Sequence, residues 1–333
     1  MKFDVGFLPD RKVSEYIKHA KLAEKLGVFD TIWWAAWYHY RDPMIYMGSI
    51  ASNTKRIKMG TGVASMYIRN PAMLASQIAT IDEISGGRAI LGIGPGDKTL
   101  ATILGIIREK PVAYCRECVT LIRKLLDGEE VTYNGEFFHW DRAKLEFKPK
   151  HKIPIWIGVR GPRMLQLAGA IADGVLIDCS NPKDIKWAAN MVRKGAKDAD
   201  RNPEEVEIGA YIVFSTSRKN PKAAKYTAAM SAAFIGTSQP DFVYKRHGIN
   251  IEKEVEPIRK LLKKGRFEEA FSLCSDRLLD IFSVTGAPNY CLESMQEILD
   301  LNAVSRIVFG DVFYNVTETL EIVAKEIIPE LKY

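Results

Sequence analysis

The stretch Arg56–Lys98, RIKMGTGVASMYIRNPAMLASQIATIDEISGGRAILGIGPGDK, decides the fold. An apolar run, Ile57 to Val63, stops in a Gly-flanked turn. A helical pattern follows from Pro71 to about Ser85, and Gly86-Gly87 punctuates its end. A second apolar run, Ala89 to Ile93, closes in Gly94-Pro95-Gly96-Asp97. Strand, loop, helix, strand, loop is a parallel βαβ unit, and its two loops fall on the same side of the sheet. Parallel α/β folds build ligand sites on that side, at the carboxyl ends of the strands. One loop is rich in small residues and the other ends in a carboxylate. The unit can therefore hold a flat ligand and present an acid to it.

Working outward, Phe3–Leu8 and Phe29–Trp34 read as the first two strands, with an amphipathic helix, Ser14–Leu26, between them and Gly27 as its cap. The opening stretch supplies strands three and four. Pro154–Gly158, Gly174–Asp178, Glu207–Phe214 and Arg306–Phe309 read as strands five to eight, with helices between and a closing helix from Val316 to Leu331. Eight βα units in a chain of 333 residues point to a single (β/α)8 TIM barrel over 1–333. Two additions are expected. Val131–Phe147 reads as a hairpin around Asn134-Gly135, an excursion over 129–150. Residues 220–285 are helical with loops and exceed what one crossover needs, so they read as an insertion before the last unit. A doubly wound open sheet is the competitor, and the lack of a GxGxxG after the first strand counts against it.

Composition narrows the function classes. The chain is 47% hydrophobic and 26% charged, ordinary for a soluble globular protein, and its apolar runs stop short of a membrane span. The amino terminus begins directly on a strand-like run without an export signal, so the cytoplasm is the expected location. A net charge of +6 is mild, with Lys and Arg interspersed among Asp and Glu. That argues against nucleic-acid binding and suits an anionic small ligand. Cys115 and Cys118 have CxxC spacing inside a helical pattern, AYCRECVTLIRKLL, with no second pair and no nearby His pair. Partly buried helix residues are the better reading than zinc or redox chemistry, and no metal is expected.

Taken together and in order, MKFDVGFLPD, GTGV, YIRNPAMLASQIATIDEISGGRAILGIGPGDK, IPIWIGVRGPRMLQLAGAIADGVLID with SNPKD, RHGI and IFSVTGAPNYCLESMQEI carry a resemblance over nearly the whole chain. The sequence resembles the luciferase-like superfamily of flavin and deazaflavin oxidoreductases, and within it the coenzyme F420-dependent methylenetetrahydromethanopterin reductases. The resemblance implies homo-oligomers, dimeric or tetrameric, of bacterial-luciferase-like barrels with a deazaflavin in each mouth. It implies hydride transfer between coenzyme F420 and a methylene-tetrahydropterin. It also implies a non-proline cis peptide between Gly62 and Val63, bulging toward the back of the ring, with Gly94 in the next loop.

Further site residues follow in the same way. Gly161 and Pro162 open a helix after strand five, with Arg160 beside them, and a helix amino terminus attracts anions. The resemblance puts the coenzyme's phosphate and glutamate tail near this turn; a plain capped turn is the alternative. Ser180 and Asn181 either contact the cofactor or cap the helix after them. Asp97 either hydrogen-bonds or protonates the substrate, or caps the segment from Lys98.

The departures from the reductases are as informative. Their first-strand glutamate position reads Gly6 here, and the Asp-His that ends their second strand reads Ala36-Trp37. His39 is a substitute or a packing residue. The aromatics from Trp33 to Tyr40 form either a stacking platform for a flat ring or a rim cluster. Two other readings stay open: an FMN-dependent luciferase-like monooxygenase, and a barrel that has lost catalysis and serves as a binding subunit.

Overall fold

In each strand pattern every second side chain points toward one axis, and this alternation builds the molecule. The structure, a computed structural model, describes residues 1–310 and 313–333. Its main strands are β1 (Lys2–Phe7), β2 (Phe29–Trp34), β3 (Lys58–Thr61), β4 (Ala89–Gly94), β5 (Ile155–Val159), β6 (Gly174–Asp178), β7 (Glu207–Thr216) and β8 (Arg306–Gly310). Each is parallel to its neighbours in the order β1 to β8. The ring closes where Lys2–Val5 pairs with Arg306–Phe309. The (β/α)8 barrel expected from the sequence is what the chain forms.

The helices start and stop where local chemistry says they should. Helix α1 (Val13–Leu26) ends on Gly27 at φ 78°, the left-handed conformation that glycine adopts without steric cost. Helix α2 (Pro43–Ala51) begins with Pro after Asp42, whose carboxylate accepts from the Met44 amide. Helix α3 (Pro71–Ser85) repeats this with Asn70 and Pro71 and ends on Gly86. Helices α4 (Pro111–Leu126), α5 (Pro162–Ile171) and α6 (Pro182–Asp198) cover the next strands. Their apolar faces and the outward residues of the strands, such as Val5, Ile32, Met59, Leu91 and Ile157, make the main core. Cys115 and Cys118 belong to it, fully buried on α4, and burial pushes the Cys115 thiol up to about 12. No group of metal-ligating side chains stands together among the described residues.

Outside the ring, Val131–Asn134 and His139–Ala143 form an antiparallel hairpin. Asn134 still pairs with His139, so the turn is the four residues 135–138 rather than Asn134-Gly135 alone. From Pro221 to Phe282 the chain folds into short helices around a second core that includes Tyr244, Ile258, Leu279 and Phe282. Asp184 ties this block to α6: its carboxylate pairs with Arg246 and lies 2.8 Å from His247 Nε2. A three-residue strand, Val284–Gly286, extends the sheet against the end of β7. It is too short for period-two reading in the sequence. Helix α7 (Pro288–Leu299) precedes β8. The closing helix α8 (Val316–Ile322) widens into a π turn over Val323–Ile327 and tightens around Pro329, so it ends as an α-helix earlier than the pattern suggests. No helix of the described residues is long and apolar enough to cross a membrane.

The barrel interior is filled in layers. At the amino-terminal end Arg306 sits on Asp4, both carboxylate oxygens at 2.7 Å from Nη1, and also reaches Asp30 at 2.8 Å and Glu207 at 3.0 Å. Asp4 accepts from Trp33 Nε1 at 2.7 Å, and the guanidinium lies over the Trp156 ring. Trp33, Trp156, Ile90, Leu176, Tyr211 and Val308 fill the next layers. Removing one partner of a buried ion pair strands the other. Arg306→Met is therefore expected to destabilise the fold by about 3–5 kcal/mol. Denaturant titration checks it, and Asp4→Leu added to Arg306→Met is expected to recover most of the loss.

Candidate active site

The mouth of the barrel is shaped by a mismatch between β3 and β4. Gly60 pairs with Ile90, and pairing resumes at Ala64 with Ile93. Three residues, 61–63, therefore face two, 91–92, which makes a bulge. The side chain of Thr61 fills the gap in the ladder. Its hydroxyl donates to the Gly92 carbonyl at 2.6 Å and accepts from the Gly92 amide at 3.0 Å. The Gly62 amide is held from the other side by the Trp34 carbonyl at 2.7 Å. The bond between Gly62 and Val63 is cis, as the resemblance implied, and both residues stay partly exposed at the mouth.

Glycines on the neighbouring strands make room for the bulge. A Cβ on Gly94 would meet Val63 Cγ2 at 2.9 Å and the Gly158 carbonyl at 2.6 Å, and one on Gly158 would meet Val63 Cγ1 at 2.6 Å. The Val63 side chain is seated where β4 and β5 have none. A larger residue at either position would push the bulge into the mouth.

The other residues singled out by sequence lie around this turn, with mixed engagements. Asp97 follows the Gly94-Pro95-Gly96 turn, and a short helix, Lys98–Ile103, starts immediately after it. Its carbonyl accepts from the Ala101 amide. Gly161 opens α5, and space beside it is open: a Cβ there would meet nothing within 4 Å. Arg160 is engaged on two sides. It lies 3.4 Å from Asp178 and donates to Ser238 Oγ at 2.9 Å, so it joins β5 to the helical block. Ser180 accepts from the Val213 amide at 3.1 Å, and Asn181 caps α6 through the Lys183 amide at 3.0 Å. Capping is thus present at Asn181 whatever else it touches. His39 is exposed and packs among Trp37, Tyr38 and Tyr40. Desolvation holds its imidazole below the ordinary histidine value.

The aromatic loop after β2 crosses toward the helical block, where the Trp37 ring meets Phe234 edge-on at 6.0 Å. A cleft of about 90 Å³ lies under it, lined by Trp37, Tyr38, Tyr40, Ser65 and Ile68, with the Asp42–Arg69 ion pair at its edge. Ser65 in turn contacts Gly96, so this cleft adjoins the Asp97 turn.

Three groups at the mouth escaped the sequence reading. Asp178 is the last inward position of β6; burial raises its carboxyl above the usual range, with Arg160 opposing. The alternation Gly174, Leu176, Asp178 carried that signal. Arg108 donates from Nη1 to the Gly96 carbonyl at 2.9 Å, and its buried Nε has no hydrogen-bond partner among the described residues. Desolvation lowers its pKa, and the neighbouring Tyr67 and Asp97 side chains oppose that. It sits in an irregular loop, where no pattern marks it. Tyr211 points inward from β7. A Cβ on Gly6 would lie 2.1 Å from Tyr211 Oη, which accounts for the missing first-strand side chain.

A closed parallel barrel with a glycine-lined bulge open to its mouth puts the candidate site at the carboxyl ends of its strands, where parallel barrel enzymes build their active sites. The chain belongs to the luciferase-like monooxygenase family, whose model matches residues 2–303. It is 39% identical to a 5,10-methylenetetrahydromethanopterin reductase of Methanolobus tindarius, covering 98% of this chain and 100% of the relative. It is 39% identical to the enzyme of that name from Archaeoglobus fulgidus, with both chains covered in full. The solved coenzyme F420-dependent tetrahydromethanopterin reductase of Methanopyrus kandleri superposes with a TM-score of 0.89 at 34% identity, covering 99% of each chain.

The Thr61 hydroxyl is the part of this arrangement open to a clean test. Thr61→Val keeps the volume but leaves the buried Gly92 amide and carbonyl unpaired, an expected loss of about 1–3 kcal/mol. Thr61→Ser is expected to keep most of the stability. Thermal and denaturant unfolding of the two variants side by side checks this.

Proposed function

We propose that the protein is a coenzyme F420-dependent oxidoreductase that moves a hydride between the deazaflavin and a 5,10-methylene-tetrahydropterin. The full-length likeness to the reductases carries this reading. It stands ahead of an FMN-dependent monooxygenase and of a barrel without catalysis. The geometry agrees with the coenzyme on one observation in particular: Arg108 Nε, which has no partner among the described residues and stands beside the Gly96 carbonyl, suits an anionic tail. Arg160 and the open turn at Gly161–Pro162 stand as further tail contacts.

When bound, coenzyme F420 supplies or accepts the hydride. The chain's own residues do the rest. Gly62, Val63 and Gly94 would hold the ring, the first two through the bulge and Gly94 through the space it leaves beside Val63. Holding two rings face to face at close range is the main demand of hydride transfer. Asp97 accepts a hydrogen bond from the pterin and orients it. His39, whose pKa desolvation lowers, serves at the rim as a hydrogen-bonding partner. Ser180 and Asn181 shape the turn after β6 next to the cofactor. The reading includes a cytoplasmic homo-oligomer, dimer or tetramer. The exposed Ile45 of α2 and Met73 of α3 suit an interface of that kind.

The test is incubation with reduced coenzyme F420 and methylenetetrahydromethanopterin, followed at the deazaflavin absorbance band. Turnover is expected, and titration is expected to show tighter binding of coenzyme F420 than of FMN. In the same assay Asp97→Asn is expected to raise KM for the pterin about ten- to a hundredfold, the loss of a charged hydrogen bond, with coenzyme affinity within about twofold. No absorbance change under any condition contradicts the proposal.

A further inference from the structure

The helix Ala229–Thr237, in the block after β7, ends against Arg160, the residue that follows β5. The last four carbonyls of an α-helix have no partner inside it, and that end carries partial negative charge. Here each of the four has found a donor. The Phe234 carbonyl accepts from Ser238 Oγ at 2.8 Å, the Gly236 carbonyl from Tyr244 Oη at 2.8 Å and the Thr237 carbonyl from Arg259 Nη2 at 2.7 Å. The Ile235 carbonyl accepts from the Ser238 amide at 3.2 Å and from Arg160 Nη1 at 3.4 Å. The Phe234 ring meets Trp37 on one side and Phe267 on the other. Ser238 therefore stands on a turn fixed from several directions.

The hydroxyl of Ser238 has one proton, and it goes to the helix carbonyls. A lone pair is left for Arg160, whose Nη1 donates to Ser238 Oγ at 2.9 Å. Against this hold stands Asp178. Its Oδ2 lies 3.4 Å from Arg160 Nε. That is outside the range of about 2.7–3.2 Å for a closed N–H···O bond. The guanidinium is thus suspended between a carboxylate on β6 and the end of a helix. Its Nη2 donates to no described residue, and the side chain keeps 26% exposure. Arg108, already desolvated in its loop, also feels the positive charge of Arg160. Two guanidinium groups converge on one side of the mouth.

We propose that Ser238 is a positioning residue for the anionic tail of the coenzyme: it holds Arg160 off Asp178, with the Nη2 edge left for a phosphate or carboxylate of that tail. This rests on the coenzyme reading above. Ser238 acts through Arg160 and does not itself bind the tail. A planar guanidinium fixed before the ligand arrives loses less freedom on binding than one that must first leave an ion pair. The helical block, an addition to the barrel in sequence, thereby contributes to coenzyme affinity without touching the coenzyme.

Ser238 is exposed, so Ser238→Ala is expected to keep the fold, with a melting temperature close to that of the unaltered protein. Fluorescence titration with coenzyme F420, and with a truncated deazaflavin that ends before the phosphate and glutamates, gives the test. Ser238→Ala is expected to weaken the whole coenzyme about tenfold, the weight of one hydrogen bond to a charged group, and the truncated one by less than about twofold. Ser238→Thr, which keeps the hydroxyl, is expected to restore the affinity. In an Arg160→Met background, Ser238→Ala is expected to change nothing further. Unaltered affinity of Ser238→Ala for the whole coenzyme overturns the inference. So does an equal loss for both ligands, which marks a structural role, or a loss that persists without Arg160. If the unaltered protein binds neither deazaflavin, the coenzyme reading itself fails and takes this inference with it. Tight binding of both by every variant removes this inference alone.

Discussion

The hydroxyl of Thr61 closes a gap that the backbone of β3 leaves open. With three residues opposite two, the Gly92 amide and carbonyl lose their ladder partners in a buried layer, where an unpaired polar group is costly. One side chain that both donates and accepts satisfies both groups. That lets the chain turn out of the sheet at Gly62 and Val63 without a defect in the wall. A surface open to the mouth is thereby attached directly to the strands of the barrel wall. Loops supply function best when a rigid scaffold fixes them.

Below this turn the barrel is a plug in which large rings and glycines alternate between strands. Trp33 lies over Gly60, Trp156 over Gly174, and Tyr211 over Gly6 and Gly310. Each ring takes the volume that the opposite strand gives up, so the glycines are packing partners of particular aromatics. The Asp4–Arg306 pair closes the amino-terminal end and orients Trp33 through its indole N–H. Position of the floor and position of the bulge are thus linked through direct contacts.

Much of the fold was legible because its signals are local. Pro after Asn70 or Asp42 starts a helix, Gly27 and Gly86 stop one, and period-two runs mark the strands. The turn at Gly62–Val63, the Asn181 cap and the hairpin lay within such stretches. What escaped depends on residues far apart in the chain. Asp4 and Arg306 are 302 residues apart, and nothing in either segment announces the other. The exchange of a first-strand side chain for Tyr211 is of the same kind: Gly6 reads as a loss until β7 is folded beside β1. Arg160 reads as a free cation beside a helix start, but the helical block supplies Ser238 to it from another part of the sequence. Burial of Asp178 likewise follows from closure of the ring rather than from its neighbours in sequence.

The central claim is that the glycine-cradled turn at Gly62–Val63 carries the ring of a deazaflavin. A crystal structure of the protein soaked with oxidised coenzyme F420 tests it most directly. The account requires the ring to lie flat against Gly62 and Val63, with the anionic tail running toward Arg108 and Gly161. A ring bound elsewhere, for example in the cleft under Trp37, or a tail turned away from Arg108, would contradict it.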